Sequence, residues 1–399
     1  MANVSSSNGL EKRPRLAFRR TDGSNFPSWS RTSLSSIIEP YSEKVYGEHK
    51  YEVLTSSREG LQRQVDHFGT KQRHDTDGYN IIPIGYCTYR NRSDDGRFTF
   101  NINTISSNAI VSKFYPVFRF TNANSLFMSE FLNSSSRAKK KLSVLAVGTS
   151  QVVLSFEALK AAKFDLPCKD EQDKIASFFE CLNRRIEYQR TLVDALKKYK
   201  RGVNKQLLSQ IDNSCNCRLG SVCEIVGGGT PDTLHTEYWG SSVEWFTPSE
   251  IGKTKYVSRS VRKLSDIGLN NSSAKLLPIG TVLLTTRATL GEMSIAKREC
   301  CTNQGFQSLI PHQDRALSEY LYYMQIIIKP WCEKYASGNT FREISKSALS
   351  NCIIPLPDRA RQEEIVKLLS SIDTLISAEE GIAMSLSKMR HSLMQQLFI

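Results

Sequence analysis

The residue types that commonly perform catalysis occur in this chain, but their spacing fits no catalytic motif. No two prolines are adjacent, which excludes the Asn/Asp-Pro-Pro-aromatic motif of methyltransferases. Gly252-Lys253-Thr254 ends like a phosphate-binding P-loop, but Thr247 occupies the position where that loop requires glycine. Pro231-Asp232 resembles the first half of a nuclease site, yet no acidic-x-Lys triplet follows it in the same part of the chain. The sequence therefore predicts recognition without catalysis.

Cysteine and histidine also fail to form a metal-binding pattern. The ten cysteines include Cys215-Asn216-Cys217 and Cys300-Cys301, which lie too close together to be paired C-x-x-C ligands. Six scattered histidines complete no site, so we expect no metal and no cofactor in this chain. Free thiols, with no apolar leader and no run of about 18 apolar residues, predict a cytoplasmic protein that does not enter the membrane.

The charge balance points to a polyanionic partner. Lysine and arginine number 53 against 40 acidic residues, which gives a net charge of +13 and an isoelectric point near 9.2. Nucleic acid is the first partner class to consider, since lysine and arginine bind phosphates and arginine also binds guanine O6 and N7. Many soluble proteins are basic as well, so charge alone leaves an ordinary soluble protein equally open.

Arg92 and Arg287 are the first candidates for contact with DNA, because each follows a Pro-Ile-Gly at the same distance. An ion pair or a packed side-chain stem explains either arginine equally well. The basic run at residues 137–141 is either a phosphate-binding patch or a solvated face, and Lys253 and Lys255 follow a short polar turn. The remaining candidates are Arg90, Arg97, Arg137, Lys139 and Lys140.

These candidates belong to a sequence that repeats itself. Residues 148–208 align without a gap onto residues 338–398 at an offset of 190, with identical pairs such as Gly148/Gly338. An upstream match at an offset of 195 pairs Pro83-Ile84-Gly85 with Pro278-Ile279-Gly280. A repeat of this length is far longer than the periods of solenoids and propellers, so it predicts two copies of one domain.

Each copy combines a mixed domain with a long helix, which predicts an α+β fold. Short β-branched or aromatic runs bounded by Gly, Asn and Asp predict strands at residues 81–84, 86–89, 117–120, 243–247 and 281–286, and helices are predicted at 125–133 and 317–337. The predicted segments are a basic N-terminal segment (1–24), a first domain (25–166), a first spacer helix (167–212), a second domain (213–356) and a second spacer helix (357–399).

The two long helices carry the 4-3 spacing of a coiled-coil seam. Polar residues interrupt both seams at matching positions, Gln189/Glu379 and Lys200/Arg390, and sparse polar positions of this kind fix register. Amphipathic helices docked on their own domains are the alternative. The predicted apolar seam residues are Ile175, Phe179, Leu182, Ile186, Val193 and Leu196 in the first helix and Ile365, Leu369, Ile372, Ile376, Leu386 and Leu393 in the second.

The connectivity predicts that the two helices pair in antiparallel fashion, since the second leaves the second domain and must return towards the first. The two similar domains would then be separated by the coiled coil and related by a pseudo-two-fold axis. Forty helical residues rise about 60 Å at about 1.5 Å each, which makes the pair a spacer. One turn of DNA measures about 34 Å, so two basic modules at the ends of such a spacer would reach one duplex.

Several fragments are typical of the same family. They are Pro14-Arg15-Leu16-Ala17-Phe18 with Trp29 and Leu34, then residues 228–231 (Gly-Gly-Thr-Pro), 238–240 and 243–245, and finally 303–307, 338–340, 353–357 and 361–365. In their order, spacing and duplication they resemble the specificity subunits of type I restriction–modification enzymes over nearly the whole chain. The first domain departs from the family in lacking an obvious Gly-Gly-Thr-Pro, and the N-terminal tail is longer and more basic than expected.

The resemblance implies a non-catalytic subunit that recognises DNA. Each target-recognition domain would read one half of a bipartite target in double-stranded DNA, and the helices would set the spacer between the halves. The helices would also dock two DNA-adenine methyltransferase subunits, and restriction subunits would complete the assembly. S-adenosylmethionine, ATP and magnesium would be used by those partners.

Three other functions stay open. A scaffold that bridges protein partners through its coiled coil, without sequence-specific DNA contact, would show a DNA affinity that does not fall steeply with salt. A specificity subunit of a type IIB-like system is barely distinguishable by sequence. A fused restriction–methylation enzyme is the third, and the missing motifs argue against it.

Overall fold

The computed structural model describes residues 16–69, 75–287, 289–338 and 342–398, which form two compact units. The first unit lies within residues 1–189 and 382–399, and the second comprises residues 190–381. Both long helices cross this boundary, so each unit contains one part of each long helix. Most of the predicted N-terminal segment, with Pro14 and Arg15, and also Asn339 and Thr340 lie outside the described residues. No described helix is long and apolar enough to cross a membrane.

The first unit is a mixed domain of short strands and helices. Its strands form a five-stranded sheet ordered β3-β6-β10-β4-β5, a four-stranded sheet ordered β2-β11-β7-β9, and the two-stranded pairs β1-β13 and β8-β12. The elements are β1 Ser30–Ser33, β2 Ile38–Tyr41, β3 Lys44–Val45, β4 Glu52–Ser57, β5 Gly60–Arg63, α1 Gln64–Phe68, β6 Tyr79–Ile81, β7 Cys87–Tyr89, β8 Arg92–Ser93, β9 Phe100–Ile102, β10 Ala109–Val111, β11 Val117–Phe120, α2 Ser125–Ser134, α3 Ser136–Leu145, β12 Val152–Val153, α4 Phe156–Ala161 and β13 Lys163–Leu166.

The second unit has a related mixed architecture. A five-stranded sheet is ordered β15-β22-β19-β20-β17, a three-stranded sheet is ordered β18-β16-β21, and β14 pairs with β23. The long helix α5 (Lys169–Ser209) precedes this unit's domain, and α10 (Arg359–Leu397) follows it. The elements between them are β14 Asn216–Arg218, β15 Cys223–Gly227, β16 Trp239–Phe246, β17 Tyr256–Val257, β18 Arg262–Leu264, α6 Asp266–Asn270, β19 Val282–Leu284, β20 Met293–Ala296, β21 Cys300–Thr302, β22 Gln307–Pro311, α7 Ser318–Tyr323, α8 Gln325–Tyr335, α9 Lys346–Ser350 and β23 Ile353–Pro355.

The long helices pair in antiparallel fashion within each unit. In the second unit, Lys197 and Lys200 of α5 form ion pairs with Glu380 and Asp373 of α10, so the partner number falls as the α5 number rises. In the first unit, the apolar core joins the start of α5 to the end of α10. All twelve predicted apolar seam residues are buried or half-buried, and nine of them belong to or pack against the apolar cores that also contain residues of the domains.

A buried glutamine is used in the same way in both units. Gln172 and Gln362 each donate a hydrogen bond from Nε2 to the backbone oxygen of the proline five residues earlier, at 2.9 and 3.0 Å. Their Oε1 atoms accept hydrogen bonds from the backbone nitrogens of Asn124 and Leu317 at 2.9 and 3.1 Å. These two residues are the N-caps of α2 and α7. Each glutamine therefore joins the first turn of a long helix to the domain that precedes it in the chain.

Two equivalent glycines lie inside two equivalent isolated β-bridges. Gly148 and Gly338 have φ of +137° and +117°, a conformation that L side chains rarely adopt. They lie within the isolated antiparallel bridges Val147↔Val153 and Ser337↔Glu343, which are again 190 residues apart. The sequence repeat is therefore a repeat of structure, and the predicted pair of similar mixed domains is confirmed.

One predicted helix is divided in the structure. Residues 317–337 form two helices, α7 and α8, which meet at Met324. Met324 and Leu321 are both buried in the core of the second unit, and Pro330 lies inside α8. Packing of the short α7 against the sheet thus ends the helix earlier than the apolar pattern indicates.

Candidate nucleic-acid interface

Four arginines of the first unit surround one surface cavity of about 110 Å³. Arg92 lies in β8 and Arg90 two residues before it, while Arg97 lies in the loop before β9. Arg58 reaches the same cavity from the turn between β4 and β5. The sequence had placed the first three together as candidates, but Arg58 is distant in sequence and only the tertiary fold brings it to them.

A tight loop and a buried amide position these arginines. The Ser93 hydroxyl donates to Asp95 at 2.9 Å, and the Arg97 backbone nitrogen donates to the Ser93 oxygen at 3.0 Å. The Asn101 side chain donates to the backbone oxygen of Ser57 at 2.9 Å, which holds the turn carrying Arg58 against β9. Both sides of the cavity are therefore fixed by hydrogen bonds within the domain.

Positive charge exceeds negative charge around the cavity. Asp95 pairs with Arg58 at 2.7 Å and lies 3.8 Å from Arg97. The hydrogen bond from Ser93, followed by those arginines, lowers the pKa of Asp95, so this carboxylate is charged at neutral pH. Arg90 and Arg92 form no ion pair with any residue that the structure describes, and the Arg92 guanidinium lies 5.4 Å from the centre of the Phe114 ring. Such a cluster suits a phosphate or a guanine edge.

A second basic surface of the first unit lies on α3. Arg137, Lys139 and Lys140 are exposed there. Lys141, the next residue, is held instead by the backbone oxygen of Lys163 at 2.6 Å, with its ammonium 5.3 Å from the centre of the Phe164 ring. Three of the four cations in the run thus remain available to an anionic partner.

Arg287 occupies the place in the second unit that Arg92 occupies in the first. Arg92 pairs in register with Val153, and Arg287 lies beside Glu343, the residue 190 positions after Val153. The Arg287 guanidinium forms an ion pair with that carboxylate at 2.8 Å. The two predicted arginines are therefore equivalent in position but differ in the charge that faces them.

Lys253 and Lys255 line a groove of about 810 Å³ in the second unit. Lys253 is exposed. Lys255 is half-buried, and its ammonium donates to the Tyr323 hydroxyl and the Ser370 hydroxyl at 2.9 Å each. Burial lowers the pKa of Lys255, as desolvation of a cation does. The Lys255 ammonium therefore joins the domain to α10, and Lys253 is the more accessible of the two predicted cations.

The family-like fragments of the second domain are structural. Cβ atoms at Gly228 and Gly229 would lie within 2.0–2.4 Å of Asn303 and Ser273, so the chain passes there only without side chains. The Trp245 indole nitrogen donates to the Gly229 backbone oxygen at 3.0 Å and fixes this loop. The two glycines thus allow the close packing of this loop against the domain.

Three buried cysteines are held as neutral thiols. Burial raises the pKa of the Cys223, Cys300 and Cys352 thiols to about 12, so each is protonated at neutral pH. Across the described parts of the chain, no group of three or more His, Cys, Asp and Glu side chains is placed to hold a metal ion. The groups that stand out on the surface are guanidinium and ammonium groups.

Known proteins share this sequence pattern and this fold. The model of the type I restriction modification DNA specificity domain matches residues 35–198 and again residues 212–388. The MjaIX specificity subunit of a type I restriction enzyme from Methanocaldococcus jannaschii is 35% identical over 186 residues, which are 46% of this chain and 43% of that protein. The aligned part thus spans less than half of that relative.

Two solved structures share the fold at low sequence identity. A chain from a study of the "structural basis underlying complex assembly and conformational transition of the type I R-M system" matches with a TM-score of 0.60 at 19% identity, covering 94% of this chain and 98% of that chain. The S subunit of a type I restriction–modification system from M. genitalium matches with a TM-score of 0.55 at 15% identity, covering 97% and 99%. These likenesses extend over both units and both long helices.

Proposed function

Because this chain belongs to the family of type I restriction–modification DNA specificity domains, we propose that it is the DNA-recognition subunit of a type I restriction–modification complex. One observation carries the proposal: the family model matches both halves of the chain, and each half is a mixed domain with its own long helix. Each domain reads one half of a bipartite target in double-stranded DNA, and the helices set the gap between the halves.

The arginine cavity of the first unit supports a role in DNA binding. Arg58, Arg90, Arg92 and Arg97 concentrate charge on one fixed surface, and lysine and arginine contacts to phosphates supply most of the affinity of such proteins. Arginine also reads guanine through two parallel hydrogen bonds. The exposed cations of α3 add a second surface of the same sign.

The outer faces of the long helices support docking of methyltransferase subunits. Apolar residues recur every seven positions on α10, outside the seam, at Leu368, Leu375, Ile382 and Met389, which are 43–51% exposed. Small residues stand between them at 371, 378, 385 and 392, completing the 4-3 spacing of a second seam. A partner helix that packs there buries this stripe. On α5 the same positions include Phe178, Leu192 and Tyr199.

Catalysis in the proposed complex belongs to the partners. The candidate residues of this chain are arginines and lysines, whose protonated side chains donate hydrogen bonds to anions. Two DNA-adenine methyltransferase subunits use S-adenosylmethionine, and restriction subunits use ATP and magnesium. This chain selects the sequence on which they act.

The test is co-expression with methyltransferase subunits, followed by mapping of methylated adenines on genomic DNA. We expect methylation in a bipartite motif with a fixed gap. A well-formed complex that methylates nothing, combined with a DNA affinity insensitive to salt, would overturn the proposal in favour of a protein scaffold.

A further inference from the structure

Lys200 and Arg390, the cations at matching seam positions of the two long helices, also interact with the recognition domains. In the second unit, Lys200 of α5 forms an ion pair with Asp373 of α10 at 2.5 Å. The Tyr323 hydroxyl, at the end of α7, donates to the other oxygen of Asp373 at 2.6 Å. The Lys200 ammonium also lies 5.1 Å from the centre of the Tyr323 ring. One residue from each long helix and one from the recognition domain therefore meet at this point.

The first unit builds the same junction from different residues. Arg390 of α10 donates from Nε to the Asn183 side-chain oxygen on α5 at 2.5 Å. Its Nη2 atom forms an ion pair with Glu130 of α2 at 2.5 Å. Here too, one residue comes from each long helix and one from the recognition domain.

The two junctions occupy equivalent places in the repeat. Lys200 and Arg390 are 190 positions apart, and so are Asn183 and Asp373. The acidic partner has changed position: it lies on the long helix in the second unit and on the domain in the first. The charge pairing is therefore kept at this place although the residues that supply it differ.

Burial makes these contacts effective. The side chains of Lys200 and Asp373 are 22% and 24% exposed, and those of Arg390 and Glu130 are 28% and 26% exposed. Such partly buried charges are less screened than surface pairs, and removal of one partner leaves the other desolvated and unpaired. A cation at a seam position weakens apolar packing between helices. The contact of the cation with the domain offsets this loss.

We propose that Lys200 and Arg390 are positioning residues, each of which fixes the orientation of a recognition domain on the long helices. The expected effect on DNA recognition rests on the proposed function. In that function, the orientation of each domain sets the gap that the complex accepts between the two half-sites. Loss of a junction then relaxes selection of the gap without changing which bases are read.

The variant that tests this is Arg390→Met, which keeps the length of the stem and removes the charge. Methylation is measured on duplexes with both half-sites fixed and the gap varied by one or two base pairs. We expect the preference in kcat/KM for the native gap over its neighbours to fall about tenfold. The charge exchange Glu130→Arg with Arg390→Glu restores the pair, so we expect it to recover part of the preference.

The matched control is Lys197→Met. Lys197 pairs with Glu380 at 2.7 Å, an ion pair between the two long helices that includes no residue of the domain. We expect this variant to keep its gap preference. If Arg390→Met lowers kcat/KM equally for every gap, or if Lys197→Met relaxes the gap as much, the positioning role is wrong.

A second readout does not depend on methylation. In the isolated chain, Arg390→Met is expected to speed amide hydrogen exchange in α2 at least fivefold and to leave the strands β4 and β10 unchanged. If the wild-type complex methylates no bipartite target and its DNA affinity is insensitive to salt, the proposed function fails. Exchange in α2 then still tests whether Arg390 holds α2 to the long helices. Unchanged hydrogen exchange in α2 would show that Arg390 does not fix the domain on the long helices.

Discussion

At the scale of single residues, the two repeats differ in how their equivalent arginines are neutralised. Arg92 lies among three further arginines, whereas Arg287 faces Glu343 at 2.8 Å. A cation already paired with a carboxylate must give up that pair, or share it, to bind a phosphate. Equal positions in the repeat therefore do not imply equal contributions to DNA binding.

Arg92→Ala is expected to weaken binding to the half-site of the first domain by about 1–3 kcal/mol if the arginine contacts a base. If it contacts a phosphate instead, the slope of log affinity against log salt falls by about 0.9. Arg287→Ala should have a smaller effect, and Glu343→Gln should strengthen binding, because the guanidinium is then free. Fluorescence anisotropy with duplexes at several salt concentrations measures all three.

Arg119→Ala is the control for charge alone. Arg119 is also an exposed arginine of the first unit, but Glu39 holds it at 2.6 Å on the sheet formed by β2 and β11. We expect its loss to leave affinity within a factor of two. An Arg92→Ala variant that binds as Arg119→Ala does would remove Arg92 from the interface.

The surroundings of Glu171 predict that the stability of the protein depends on pH. It is buried in the first turn of α5, and its Oε2 atom has no hydrogen-bond partner among the described residues. Desolvation raises the pKa of this carboxyl above its usual value. The folded state therefore binds a proton more tightly than the unfolded state does, and the stability it contributes is lost as pH rises through the raised pKa.

Glu171→Gln removes this pH-dependent loss. We expect the variant to be more stable at pH 7.5 by about 1 kcal/mol, since no charge is then buried without a full set of partners. At pH 4, below the usual pKa of the carboxyl, the gain should vanish. Thermal unfolding at the two pH values measures it, and a gain at pH 4 as large as at pH 7.5 would contradict the account.

At the scale of elements, α10 carries two apolar faces that differ in burial. The seam face is covered within each unit, whereas the stripe of Leu368, Leu375, Ile382 and Met389 remains 43–51% exposed. Exposed apolar residues scattered singly need no explanation, but a regular heptad stripe is suited to a further helix.

Leu375→Glu and Ile382→Glu, made together, are expected to weaken capture of the methyltransferase subunit at least tenfold. The midpoint of thermal unfolding of the isolated chain should change by less than about 3 °C, because neither side chain belongs to the core. Met384→Glu is the control, since Met384 is an exposed apolar residue of α10 outside the stripe. Equal loss of capture in the control would mean that general helix charge, and not the stripe, governs docking.

At the scale of the whole molecule, the sequence predicted the features that follow from regular spacing and from the order of the elements. The repeat and the seams could be predicted because Gly148/Gly338 and the heptad positions recur at fixed spacing, and the antiparallel pairing could be predicted from the connectivity. Contacts that depend on distant segments are not readable. Arg58 joins the other arginines only through the β4–β5 turn, and Lys255 is withdrawn from solvent by Tyr323 and Ser370, which lie 68 and 115 residues away.

Continuity of the long helices gives the last prediction. Seven residues inserted at the same level of the pair, after Gln189 in α5 and after Gly381 in α10, add one heptad and keep both seams in phase. Each helix lengthens by about 10 Å, which corresponds to about 3 base pairs of DNA at about 3.4 Å each. We expect the mapped methylation motif to keep its half-sites and to gain a longer gap. A five-residue insertion at the same places, which puts the seams out of phase, should abolish methylation. A gap that stays unchanged after the heptad insertion would show that the helices do not measure the distance between half-sites.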